Sequence, residues 1–112
     1  MIKATSALKT AIIESFGTPC SVIDLDVVER NIMRAQRLCE KAGVANRPHI
    51  KTHKSPILAK MQIAAGAKGI TCQKIGEAEV MVDTGITDII IATNLLGAAR
   101  SGRLASLQRR VA

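Results

Sequence analysis

Three glycines set the frame for this chain. Gly43, Gly66 and Gly85 each follow a stretch of helical character, and each is followed within a few residues by a short apolar run. A helix that ends on a left-handed residue favours glycine there, because glycine alone has no Cβ to clash. The glycines recur at intervals of about 20 residues, the length of one short helix plus one strand and its turns. Parallel strands need such helical crossovers, since a tight hairpin cannot join them. Right-handed units of this kind build either an open doubly wound sheet or a closed (β/α)8 barrel. The expected fold class is therefore α/β with parallel strands. A closed barrel takes about 250 residues, so 112 residues would hold only its first part.

The pattern along the chain fills in the elements. Residues 5–16 read as a short amphipathic helix stopped by Gly17 and Pro19. Residues 18–25 read as a strand, with proline at its start where a missing N–H costs least. Asp26 followed by Glu29 resembles a capping box. The helix it opens carries Val28, Ile32, Ala35, Cys39 and Ala42 on one face and ends at Gly43. A strand is expected over 47–51. Ser55 and Pro56 then supply the cap and first-turn proline of a helix reaching Gly66. Residues 69–73 form the next expected strand and 77–83 a short helix. Residues 88–92 are a continuous apolar run, as expected of a strand covered on both faces. The last helix, 98–111, sets Leu104, Leu107 and Val111 on one face, with Arg100, Arg103 and Arg110 mostly on the other. Residues 1–17 are thus a lead-in, and 18–112 the partial domain.

Composition narrows the function classes. Hydrophobic residues make up 47% of the chain, too many for a disordered tail, and Phe16 is the single aromatic. The net charge of +7 invites anionic partners. Nucleic acid is nevertheless not expected, because stacking aromatics and a recognised binding motif are both missing. Cys20, Cys39 and Cys72 are far apart and form no CxxC pair, which argues for reduced thiols and a cytoplasmic location. No apolar run approaches the length of a membrane span, so no membrane partner is expected.

The densest polar cluster is Arg47-Pro-His-Ile-Lys-Thr-His-Lys54. If the segment is extended through Lys51, His49 and Lys51 share one face, and His53 joins them if the strand continues. In parallel α/β folds the exits of the strands are where active sites gather. Neighbouring positive charge and partial desolvation would disfavour the protonated amine of Lys51. The free amine is the form that condenses with an aldehyde into a Schiff base. Two other readings stand beside this one: a solvated basic loop, and a metal site from His49, His53 and Cys72. Pro48 opposes the helix that a His-x-x-x-His metal pair would use. Gln73 and Asn94 fall just past strands on the same rim, as cofactor neighbours or as ordinary loop residues. Glu77 and Glu79 are explained by the dipole at a helix N-terminus.

These residues also carry a resemblance. Thr18-Pro19, Ile23-Asp-Leu-Asp26 and Arg30-Asn31 resemble the opening segment of D-threonine aldolases and eukaryotic-type D-serine dehydratases. Those enzymes belong to the fold-type III pyridoxal-phosphate group together with alanine racemase. The run from Arg47 to Lys54 resembles their cofactor-lysine motif, and Ala65-Gly66, Gly69-Ile-Thr71 and Gly76-Glu-Ala-Glu79 resemble the sequence that follows it. The resemblance implies an alanine-racemase-like (β/α)8 barrel of which this chain is the N-terminal fragment, with its first barrel strand ending at Lys51. It places residues 18–25 in a companion β-domain. It also implies that Lys51 holds pyridoxal 5'-phosphate, with His49, His53 and Gln73 as its neighbours. The substrate would be a small D-amino acid, cleaved or dehydrated. A divalent metal would act in the full-length, homodimeric parent, with its ligands outside this chain and none within it. On this reading the isolated chain is inactive and marginally stable. A non-catalytic cofactor-binding protein of the same barrel group is the alternative, and a basic nucleic-acid-binding module a more distant one.

Overall fold

The computed structural model describes residues 5–111. They fall into two compact units, one ending at Asn31 and the other beginning at Ile32. The first opens on helix α1, Ser6–Phe16, where the Thr5 hydroxyl oxygen accepts the Leu8 N–H at 3.3 Å. No residue of α1 is buried.

Residues 18–25 form no strand, contrary to the sequence expectation. A strand is stabilised by a hydrogen-bonded neighbour, and none of the described residues pairs with this segment. Its last polar residue instead starts helix α2, Leu25–Lys41. Asp24 Oδ1 accepts the Val27 N–H at 3.2 Å, so Asp24 is the cap rather than Asp26. Asp26 lies inside the first turn, where its charge complements the helix dipole.

The second unit is α/β with parallel strands, as the glycine spacing predicts. It contains the remainder of α2, then α3 (Pro56–Ala64), β1 (Ile70–Cys72), α4 (Ile75–Asp83), β2 (Ile89–Ile91) and α5 (Ala98–Gln108). Ser55 caps α3 through its hydroxyl, which accepts the Leu58 N–H, with Pro56 in the first turn. Gly43, Gly66 and Gly85 all have positive φ and follow α2, α3 and α4. Strands β1 and β2 pair in parallel, with Ile70 opposite Ile89 and Cys72 opposite Ile91.

The expected strand over 47–51 is reduced to a single bridge between His49 and Thr71 on the other side of β1. Thr71 N–H donates to the Pro48 carbonyl and Ile50 N–H to the Thr71 carbonyl, both at 2.9 Å. Pro48 has no N–H to offer a ladder, and residues 50–53 turn away immediately, so the pairing goes no further.

The core lies on one face of this small sheet. Ile50, Ile70, Cys72 and Met81 are fully buried, with Ala59, Ile75, Ala78, Ile86 and Leu107 around them. Ile89 and Ile91 pack against that cluster, whereas Ile90 is 47% exposed. The expectation of a β2 covered on both faces is therefore corrected. Side chains alternate along a strand, so Ile90 points with its partner Thr71 to the opposite face, where it is exposed. Behind the core, the buried amide of Gln36 is well used: Nε2 donates to the Gly66 carbonyl at 3.1 Å and to Glu40, and Oε1 accepts from Asn46. Among the described residues no helix is long and apolar enough to cross a membrane.

Candidate active site at the strand exits

A parallel sheet has two unlike ends, and the polar cluster read from the sequence is divided between them. Arg47 sits at the entrance end, where its guanidinium takes both carboxylate oxygens of Asp88 at 2.6 and 2.9 Å. The hydrogen bonds from Arg47 hold the Asp88 carboxyl below the usual carboxylate range. The Asp88 carbonyl accepts the Ile70 N–H at 3.0 Å, so the residues leading into all three parallel segments meet at one clamp. Gly69 lies against it: a Cβ there would stand 2.4 Å from both the Arg47 guanidinium and the Asp88 carbonyl. Entrance-end chemistry in such folds serves stability.

Lys51 sits at the opposite end, one residue past the buried Ile50, and is exposed. Its N–H donates to Nδ1 of His49 at 3.3 Å, which brings the imidazole alongside the lysine backbone. The chain then closes a tight turn, with the Lys54 N–H donating to the Ile50 carbonyl at 2.8 Å. Lys54 adopts φ of 50°, a left-handed conformation unusual for a lysine.

That turn carries His53 out of the alternation that would have set it beside His49 and Lys51. Its Nδ1 accepts the Ser55 N–H at 3.0 Å, and the ring lies half-buried beside Gln62 of α3. Burial pushes the imidazole below the usual histidine range, opposed by its contacts with Gln62 and Ser55. Neither His53 Nε2 nor Gln62 Oε1 finds a well-aligned partner. The sequence placed His53 with Lys51 by extending the strand, and the turn at 50–53 is what the alternation rule could not see.

Gln73 follows β1 at the same end. Its side chain is exposed, its carbonyl accepts the Thr93 hydroxyl, and its N–H donates to Glu77 Oε2 at 2.7 Å. With Lys74, Gly76, Asn94 and Arg100 it lines an open depression of about 550 Å³. Lys51 and Gln73 thus stand at neighbouring strand exits.

Glu77 is the residue that sequence reasoning undervalued. Helix α4 begins at Ile75 rather than at 77, which sets Glu77 in its first turn, buried to 7% exposure. Oε1 lies 3.5 Å from Lys54 Nζ. Burial works against the charge, but the Gln73 N–H, Lys54 and the Lys74 N–H outweigh it and hold the carboxyl below its usual range. A glutamate three places into a helix was the available signal; the sequence could not show that it reaches across to Lys54.

The other charged groups have local work. Arg103 of α5 binds Glu79 of α4, its Nε 2.6 Å from Oε1, and Arg110 pairs with Asp83. Arg103 of the last helix and Arg110 just beyond it are therefore matched by carboxylates of α4. The Cys72 thiol is buried beneath the sheet and pushed up to about 11, by burial first and by Glu77 second. His49, His53 and Cys72 do not converge, and no group of three or more metal-ligating side chains forms among the described residues.

This parallel α/β unit carries Lys51, with no acidic partner among the described residues, at one strand exit and polar residues at the next. Comparison with known proteins gives the family. The chain is 44% identical over 92 residues to D-threonine aldolase of Arthrobacter sp, a match covering 82% of this chain and 24% of that protein. It is 49% identical over 81 residues to D-threo-3-hydroxyaspartate dehydratase of Delftia sp. (strain HT23), covering 72% of this chain and 21% of that protein. The crystal structure of D-threonine aldolase from Filomicrobium marinum matches with a TM-score of 0.80 at 44% identity, over 83% of this chain and 25% of that one. No family model matches. The chain belongs to the family of D-threonine aldolase and D-threo-3-hydroxyaspartate dehydratase. It spans about a quarter of the length of the curated relatives it matches.

Proposed function

We propose that this chain is the lysine-bearing part of a pyridoxal-phosphate-dependent lyase acting on D-amino acids with a hydroxyl on the β-carbon. The relatives' names share that substrate class: D-threonine, D-threo-3-hydroxyaspartate and 3-hydroxy-D-aspartate. Aldol cleavage and dehydration both break a bond next to the substrate's α-carbon. The observation that carries the reading is the contrast between the two lysines of the motif. Lys54 is engaged by a buried carboxylate, whereas no acidic side chain among the described residues pairs with Lys51. Lys51 is the amine left available at the strand exit.

The residues present fit the cofactor. An unpaired amine can bond its aldehyde, and the rim beside β1 is open, with exposed polar side chains at Gln73 and Asn94. When bound, pyridoxal phosphate supplies an electron sink for the bond being broken. The protein's own contribution here is positional. His49 accepts the Lys51 N–H and steadies the backbone that carries the amine. Gln73 is anchored through its N–H and carbonyl, leaving its side chain free to contact a bound molecule. His53 belongs to the support of the turn, through Ser55 and the neighbourhood of Gln62.

In this reading the 48–50 segment, β1 and β2 are the first three strands of an alanine-racemase-like (β/α)8 barrel, and the face of the sheet that carries Ile90 is turned to the barrel interior. A divalent metal belongs to the same proposal. A variant of D-threo-3-hydroxyaspartate dehydratase has been crystallised in the metal-free form, and we place the ligands in this protein outside residues 5–111.

The test is optical. The full-length protein reconstituted with pyridoxal phosphate is expected to absorb near about 420 nm, as lysine-bound cofactor does. Lys51→Ala should abolish that band while leaving the circular dichroism spectrum intact. An undiminished band in the variant excludes the role given to Lys51.

A further inference from the structure

We propose that Glu77 is a positioning residue for Lys51: its buried carboxylate ties together the two strand-exit turns, 50–54 and 73–74, that carry Lys51 and Gln73. This rests on the reading of Lys51 as the cofactor lysine. Each half of the tie is a contact in the structure. Oε2 takes the Gln73 N–H at 2.7 Å, fixing the turn after β1. Oε1 has Lys54 Nζ at 3.5 Å as an ion pair and no well-aligned hydrogen bond from any described residue. Lys54 is therefore the one counter-charge to that oxygen among the described residues.

The effect on Lys51 follows from how the turn is closed. Ile50 is held at one end by its N–H to the Thr71 carbonyl, and Lys54 at the other by its N–H to the Ile50 carbonyl. Lys51, Thr52 and His53 span the gap between these two fixed points. Lys54 holds a backbone conformation, φ of 50°, that a non-glycine residue adopts only when its surroundings enforce it. Its ammonium on Glu77 is such an enforcement. A carboxylate that is 7% exposed is not placed there by helix-dipole energetics alone, since an exposed glutamate would serve the dipole without the desolvation cost. Its location under the lysine turn is what repays its burial.

Release of Lys54 from Glu77 is expected to let the turn relax, to slow the reaction of Lys51 and to make Lys54 a competing amine. The experiment is reductive trapping on the full-length protein. Pyridoxal phosphate is added, the imine formed with loss of water is reduced by borohydride, and the labelled lysine and its rate of labelling are read by peptide mass spectrometry. Wild type should label at Lys51. Glu77→Gln and Lys54→Gln should slow Lys51 labelling about tenfold, the scale of a small misplacement of a reacting group, and Glu77→Gln should add label at Lys54. Lys54→Arg, which keeps the charge and can reach the same oxygen, should restore the wild-type rate. Lys54→Arg keeps the counter-charge of the buried carboxylate, and circular dichroism of each variant confirms its fold before labelling. Unchanged rate and site of labelling in a folded Lys54→Gln variant overturns the positioning role while leaving Lys51 as the cofactor lysine. Wild type labelled elsewhere than Lys51 overturns both.

Discussion

Adding one methyl group at Gly69 should be among the most damaging small changes this chain can receive. The Cβ would lie 2.4 Å from the Asp88 carbonyl oxygen and 2.4 Å from the Arg47 guanidinium, more than half an ångström inside the closest approach real Cβ atoms make. One of the two obstacles is backbone, so the strand entrances must move apart. Overpacking of this kind costs about 1–3 kcal/mol. The shift also strains the Ile70 N–H bond to the same carbonyl, 3.0 Å long, and its loss adds about 1 kcal/mol. The expected penalty for Gly69→Ala is therefore about 2–4 kcal/mol. Gly43→Ala is the informative comparison. Nothing stands within 4 Å of a Cβ there, but φ is 65°, so the cost is conformational and about 1 kcal/mol. Urea unfolding of the full-length protein, followed by far-ultraviolet circular dichroism, measures both. With a slope of about 1–3 kcal/mol per molar, the Gly69→Ala midpoint should fall by about 1–2 M, and further than that of Gly43→Ala. A Gly69→Ala midpoint equal to the parent's, or above that of Gly43→Ala, would refute the close-approach argument.

Two further outcomes follow from the titrating groups. Glu77 has a folded-state pKa below its ordinary value of 4.5, so its contribution is complete above that value and is lost as pH falls through the lower folded-state value. Acid unfolding of wild type should thus steepen below about pH 4.5, and Glu77→Gln should flatten the profile in that window; a variant with an unchanged acid limb contradicts the assignment. The Cys72 thiol, buried and pushed up to about 11, should resist iodoacetamide at pH 8 in the folded protein while exposed Cys20 is alkylated; comparable labelling of the two would show that the sheet face is not closed over Cys72.

Much of the fold was legible because its signals are local. Glycine at 43, 66 and 85 needs only the backbone energetics of one residue, and Ser55-Pro56 states the start of α3 in two letters. The parallel pairing of β1 with β2 followed from those helices. Where the sequence misled, the deciding partner was remote or missing from the described residues. Residues 18–25 have β-like composition and no strand to bind, so Asp24 became a helix cap. Ile89-Ile-Ile91 reads as doubly covered, yet Ile90 between them is exposed.

The site divides in the same way. Lys51 could be singled out from its neighbours in sequence, and the structure does put it at a strand exit. Arg47, four residues earlier, went with the opposite end, because a four-residue extended segment spans the thickness of this small sheet. The alternation that would have set His53 beside Lys51 ends in the turn at 50–53. Glu77 was visible as a helix-start glutamate, while its contact with Lys54 is 23 residues distant in sequence and has no local signature.

The clamp of Arg47, Gly69 and Asp88 has a consequence for how such a protein can change. It fastens the three parallel segments at the end away from Lys51, so the loops beyond Gln73 and Thr93 are relieved of holding the sheet together. Lineages, or engineers, can rewrite those loops while the clamped side of the molecule stays as it is.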